Sequence, residues 1–187
     1  MRRDQLEHAI RAACQIIDQT EVIVVGSQAI LGSFMEEELP EEATMSNEID
    51  LLPIADSDDE VARLADLIEG TAGEFSRFEE LHGFSIDGVD LSTSALPEGW
   101  PGRLIRVQNA NTAPPTGTPR FIGWCLEPHD LSVAKLCAFR EKDINFVSAL
   151  IASDLVDSEI IAKRLAMVPE RYKPNAERAT TWLLERG

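Results

Sequence analysis

Apolar residues recur at helical spacing over the first 19 positions, where Leu6, Ile10, Ala13 and Ile17 share one face. The period then changes. Glu21-Val22-Ile23-Val24-Val25 is a short β-branched run stopped by Gly26, which predicts a buried strand. A helical pattern resumes from Gln28 to Glu38, and the acidic residues 36–42 end it as a solvated loop. Residues 49–54 read as a second strand. Ser57, with Glu60 three positions on, forms a capping box and predicts a helix to about Glu69, punctuated by Gly70 and Gly73.

From Glu74 to Leu91 the pattern breaks into short strand-like pieces around His82-Gly83 and Asp87-Gly88, and the second dipeptide predicts a hairpin turn. Residues 92–119 are rich in Pro, Gly and Asn, with one strand candidate at residues 104–107. Residues 120–125 predict a further strand. Everything after Pro128 is helical in pattern, with a break at Val168-Pro169 and a last helix after Pro174. This order predicts an α+β fold, a small mixed sheet flanked by helices with a helical C-terminal third. A core with its N-terminal helix would occupy residues 1–126, and a helical segment packed on it residues 127–187.

Composition narrows the partners. Seventeen basic residues face 33 acidic ones, a net charge of −16, so the average field repels a polyanion and disfavours tRNA. A nucleotide carried on a divalent cation, or a basic protein partner, is compatible with that field. No apolar run approaches the roughly 20 residues that span a bilayer, and the opening Met1-Arg2-Arg3-Asp4-Gln5 leads into an amphipathic stretch. No membrane association and a cytoplasmic location are therefore expected. Cys14, Cys125 and Cys137, and likewise His8, His82 and His129, lack metal-ligand spacing and are expected as packing residues.

Three separated features carry potential chemistry. Gly26-Ser27 ends a strand and opens a helical pattern, so the backbone can approach a bound anion there; the alternative is a plain N-cap serine. Glu48 and Asp50 lie two apart on a strand and point to one face, an arrangement favoured by a divalent cation between them or by a solvated edge. Asp90, within Val89-Asp90-Leu91-Ser92, is either an exposed residue after a hairpin or a third carboxylate and general base. Arg103 and Arg106 could face a triphosphate or pair with surplus acid.

Together these features resemble the signature of the polymerase-β-type nucleotidyltransferase superfamily. The resemblance implies that the Gly26-Ser27 turn holds the terminal phosphates of a nucleoside triphosphate. It further implies that Glu48, Asp50 and Asp90 surround Mg²⁺, with Asp90 activating the acceptor; Glu48 stands where the family usually has aspartate. Residues 127–143 are similar to the D-L-x-x-x-K-L-x-A-x-R-x-K-D segment of AbiEii-type toxin nucleotidyltransferases and their relatives. That likeness implies that Lys135 and Asp143 belong to the active site. In physical terms Asp130 can cap a helix from which Lys135 reaches phosphate as a point charge, although surface ion pairs on an amphipathic helix give the same pattern.

The function this implies is Mg²⁺-dependent transfer of a nucleotide to a hydroxyl on tRNA, protein or a small molecule, with an antitoxin partner if the chain is a toxin. A non-catalytic module of the same fold acting through a protein partner is the alternative. A third reading, an unrelated acidic protein, requires Glu48, Asp50 and Asp90 to be scattered in space.

Overall fold

A computed structural model describes residues 1–185. The N-terminal amphipathic stretch forms α1 (Arg3–Ile16), which buries Leu6, Ile10 and Ala13. Strand β1 (Glu21–Val24) runs through Gly26 into a 3₁₀ turn, Ser27–Gly32. The single helix expected from Gln28 to Glu38 is thus two short 3₁₀ pieces, the second being Glu36–Glu38. Gly32 is where the pattern is cut: a Cβ there would lie 2.5 Å from the Cβ of Cys125, so the turn is drawn tightly onto the sheet. The acidic segment read as loop contains the four-residue α2 (Glu41–Thr44).

Strand β2 is Glu48–Pro53 and α3 is Asp58–Ala72. Ser57 caps α3, its Oγ accepting the Glu60 N–H at 3.3 Å, while the Glu60 carboxylate turns to Arg63 rather than closing the box. The strand-like piece around His82 is in fact a helix, α4 (Arg77–His82). Ser76 caps it and Gly83 ends it with a left-handed φ of 74°, both of which are local helix signals. Strands β3 (Ser85–Gly88), β4 (Ile105–Val107) and β5 (Ile122–Cys125) complete the sheet.

The sheet order is β3-β2-β1-β5-β4. The β1–β5 and β2–β3 pairs are parallel, and the other two are antiparallel. The protein is therefore α+β with a mixed sheet, as the element order predicts. The hairpin expected at Asp87-Gly88 does not form, because β3 runs parallel to β2 and holds both residues in the strand. Gly88 serves a different purpose. A Cβ there would lie 1.9 Å from the carbonyl oxygen of Ala65, so glycine is what lets α3 pack against β3.

One face of the sheet is the core: Val22, Val24, Ile49, Leu51, Ile86 and Cys125 are all fully buried. Helix α3 covers it at Gly88, and α1 covers it at Gly123, where a Cβ would meet Ile10 at 2.2 Å. The alternate positions, Glu48, Asp50, Asp87 and Trp124 among them, are only half-buried. Alternation gives this second face its polar groups, although Leu52 and Ser85 on it are buried.

The C-terminal helices are α5 (Pro128–Ala138), α6 (Glu141–Ala152), α7 (Ser158–Leu165) and α8 (Lys173–Leu184). Helix α5 follows directly from β5 and packs against the other three and against the Ser27–Gly32 turn. Its cap is Glu127, which accepts the N–H groups of His129 and Asp130, because Pro128 occupies the first helical turn. Asp130, expected as the cap, is instead buried between Arg103 at 2.8 Å and Arg164 at 2.9 Å. The three cysteines are buried and free. Among the described residues no helix is long and apolar enough to cross a membrane.

Candidate active site

The site lies at the sheet end where β1 finishes and β2 begins. The N–H of Val25 donates to the carbonyl of Asp50 at 3.1 Å, which fixes the Gly26 turn against β2. A Cβ on Gly26 would lie 1.4 Å from Oδ2 of Asp50. Only glycine therefore admits this approach of carboxylate to backbone.

Lys135 reaches the same place from α5. Its ammonium donates to Oγ of Ser27 at 2.6 Å and pairs with Oδ1 of Asp143 at 3.2 Å. Asp143 sits in the first turn of α6, eight residues on, and the chain reverses between the two helices at Phe139, with a left-handed φ of 55°. Arg140 closes the other side of Asp143, with Nε 2.7 Å from Oδ2. Exposure separates these groups: the Asp143 side chain is 0% accessible and Lys135 11%, but Arg140 is 60%. A cavity of about 280 Å³ is lined by Gly26, Asp50, Lys135, Arg140 and Asp143 among others.

Electrostatics follow from that burial. Desolvation, reinforced by the neighbouring Glu48, lifts Asp50 above the usual carboxylate range, while Lys135, Lys142 and Arg140 oppose the rise. Burial depresses the Lys135 ammonium below the usual lysine range despite the attraction of Asp143. Burial would raise Asp143, but the hydrogen bond from Arg140 and the charge of Lys135 outweigh it and hold the group low. Glu48, on the face it shares with Asp50, has Lys142 at 3.8 Å.

Gly26, Ser27, Glu48, Asp50, Lys135 and Asp143 thus come together, so the prediction of scattered carboxylates fails for the Glu48–Asp50 pair. Asp90 does not join them. It is exposed beyond the end of β3, where its carboxylate accepts the Ser92 N–H at 2.7 Å and caps a short 3₁₀ turn. The physical reason is the parallel register, which pairs Asp50 with Asp87 and leaves Asp90 past the last paired residue.

Asp87 is the carboxylate that sequence reasoning missed. It shares the half-buried face with Glu48 and Asp50, and its Oδ1 is buried without a hydrogen-bond partner. Burial, then the charges of Glu69, Asp50 and Glu48, push it up to about 6. The available signal was the repeated alternation: Ser85-Ile86-Asp87 has the polar-apolar-polar pattern of Glu48-Ile49-Asp50. Arg140 and Lys142 lie inside the motif that carries Lys135 and Asp143 but had no role assigned from sequence.

A magnesium ion suits this donor set in one respect and not in another. The carboxylates are hard oxygen donors, and the raised Asp50 and Asp87 mark a local excess of negative charge that a cation would relieve. Among the described residues, however, no three such side chains converge closely enough to hold a metal alone. Magnesium bound through one or two carboxylates and substrate phosphates needs no closed protein cage.

No curated protein and no solved structure gives a significant match to the chain. One family model does, over residues 4–183, and it is described as a nucleotidyltransferase of unknown function (DUF6036). With nearly the whole chain matched, and a Gly-Ser turn, a carboxylate pair and a buried Lys–Asp pair meeting at one end of its sheet, this protein belongs to that nucleotidyltransferase family.

Proposed function

We propose that the protein transfers a nucleotide from a nucleoside triphosphate to a hydroxyl acceptor in a Mg²⁺-dependent reaction. The observation that carries this reading is the meeting of Gly26, Asp50, Lys135 and Asp143 around one cavity, from four segments of chain, with Ser27 bonded to the Lys135 ammonium. Glu48 and Asp50, with Asp87 beside them, would hold the metal, which when bound neutralises charge on the phosphates.

Within that frame each side chain has a task. Ser27 and Lys135 hold phosphate oxygens, the lysine oriented by Asp143. Asp87 accepts the acceptor's hydroxyl proton, a role that its place beside Asp50 on the half-buried face of the sheet suits. The acceptor oxygen bonds to the α-phosphorus, the bond from that phosphorus to the bridging oxygen breaks, and pyrophosphate leaves with the bond's electron pair. Positioning and charge neutralisation supply most of the rate in such transfers.

The net charge of −16 favours a protein side chain or small molecule over RNA as acceptor. A role as the toxin of a toxin–antitoxin pair rests on the resemblance of residues 127–143 and would show as growth arrest on expression, lost in Asp50→Ala.

The test is a thermal-shift series with the four ribonucleoside triphosphates, with and without Mg²⁺, on wild type and Asp50→Ala. A ligand at about 100 times its dissociation constant stabilises by roughly 2.7 kcal/mol, a readily measured shift. A shift that requires Mg²⁺ and disappears in the variant is expected. No shift with any triphosphate would refute the transferase reading and leave a non-catalytic module.

A further inference from the structure

The charge of this chain is concentrated in one segment. Residues 36–90 hold 18 of the 33 acidic residues against two bases, Arg63 and Arg77, so they carry the whole net charge of −16 and the rest of the chain is balanced. That segment contains α2, β2, α3, α4 and β3, the side of the sheet that ends in the edge strand β3. Exposed apolar groups gather there too. Seven of the nine large apolar side chains exposed among the described residues lie between Met35 and Leu91, led by Phe75 at 89%.

Phe75 stands just before Ser76, the cap of α4, where an apolar side chain ordinarily packs on the fourth residue of the helix. That residue here is Glu80, so the ring finds no apolar partner at that position. Its backbone is left-handed, with φ 63°, a conformation that strains phenylalanine and suits glycine. Glu79 fixes it by accepting the Phe75 N–H at 2.7 Å. The helix itself is anchored: Phe78 packs edge-on against His8 of α1 at 5.5 Å and against Phe84 at 5.3 Å. Leu81, 66% exposed, stands near the other end of α4, a helix of six residues and so about 9 Å long. The fold gains nothing from a strained, bare ring, which is held ready on a rigid mount.

Charge decides what covers it. Glu74, Glu79 and Glu80 flank the ring and repel nucleic acid and anionic lipid surfaces. A second copy of this chain, meeting the same patch across a two-fold axis, would bring the same acids. We infer that the α3–α4 corner is the docking surface for a basic protein partner, with Phe75 inserted into an apolar pocket of that partner rimmed by Lys and Arg side chains facing Glu74 and Glu80. Neither Phe75 nor its acidic neighbours line the cavity at Asp50 and Lys135, so this surface stands whether or not the transferase reading does.

Photo-crosslinking in the cells that make the protein tests this, with p-benzoylphenylalanine in place of Phe75, of Leu81, or of Leu184, an exposed position outside the acidic segment. One adduct is expected from positions 75 and 81 and none from 184, with a protein that mass spectrometry identifies and whose net charge is positive. With that protein purified, Phe75→Gly should bind at least about thirtyfold more weakly. Its melting temperature should not fall, since glycine accepts the left-handed φ without strain. Glu74→Lys combined with Glu80→Lys should slow association about tenfold at low salt, and the wild-type rate should fall as salt is added. No adduct from position 75, an adduct with an acidic protein or with a second copy, or the same adduct from position 184 would overturn the assignment. So would a partner that binds Phe75→Gly as tightly as wild type, or a Phe75→Gly protein that melts lower, which would make the ring part of the fold.

Discussion

Replacing Asp143 by asparagine removes the charge that holds Lys135 while keeping the side chain's shape. Asp143 is inaccessible and Lys135 is 11% exposed, so the ammonium cannot recover its hydration when its partner is neutralised. Arg140 is 60% exposed and can turn to water, so its share of the loss is small. At 3.2 Å and an effective dielectric near 20, the Lys135–Asp143 attraction is about 5 kcal/mol before desolvation is counted. Breaking a buried pair by removing one partner costs about 3–5 kcal/mol, and we expect Asp143→Asn at the lower end. For a chain of this size that is a fall in melting temperature of about 9 °C. Lys135→Met should cost less, because Asp143 keeps Arg140. The double variant should then be more stable than the sum of the singles, with a coupling of about 2 kcal/mol.

Urea unfolding of the four proteins at constant m-value measures the cycle. It carries a pH signature as well. Lys135 already titrates below its ordinary value of 10.5, and losing Asp143 lowers it further. A base depressed in the folded state is stabilised as pH rises toward the unfolded value, so the deficit of Asp143→Asn should narrow between pH 7 and that value. Asp143→Asn within about 1 kcal/mol of wild type, or strictly additive singles, would refute the reasoning.

Other consequences concern the site and the fold separately. Gly26→Ala should lower Mg²⁺-dependent triphosphate affinity at least about tenfold, since the new Cβ displaces Asp50, 1.4 Å away; wild-type affinity in calorimetry would contradict the close approach. Asp87→Asn should reduce turnover by about 10²–10⁴-fold, whereas Asp90→Ala should stay within about twofold. The reverse ranking would return the base to Asp90. His8, packed edge-on to His82 at 4.4 Å, is lowered to about 4 by burial and then by Arg11 and His82. Its unfolded value is 6.5, so the stability tied to it is complete above 6.5 and is lost as pH falls toward 4. Asp87 titrates in the opposite sense over the same range, so the contribution is isolated by comparing urea midpoints of wild type and His8→Gln at pH 7.5 and 4.5. Equal pH dependence in the two would exclude a contribution from His8.

Local features of the chain were enough for much of the architecture. The β-branched run before Gly26, the Ser57 cap, and the helical period after Pro128 each act within one turn or one strand, and each element formed close to where its pattern falls. The parity of Glu48 and Asp50 is local too, because alternate strand residues share a face whatever lies next to them. Where a local signal had two explanations, the sequence did not choose. Asp87-Gly88 has the composition of a hairpin turn, but Gly88 answers to the carbonyl of Ala65, a residue of α3. Gln28 to Glu38 has a helical period, but tight packing of Gly32 on Cys125 cuts it short.

The identity of the third carboxylate was of this second kind. Asp87 and Asp90 are both acids next to apolar residues, and no propensity distinguishes them. Only the pairing of β3 with β2, parallel and in the register that sets Asp87 beside Asp50, separates one from the other. The position of Asp130, read as a helix cap, was likewise decided by Arg103 and Arg164, which approach it from distant segments. The sequence by itself determined which elements form and which residue types could do chemistry, because hydrogen bonding and side-chain period act over a few residues. The tertiary structure alone decided which of those residues meet, because strand register and buried ion pairs depend on how helices far apart in the chain pack onto the sheet.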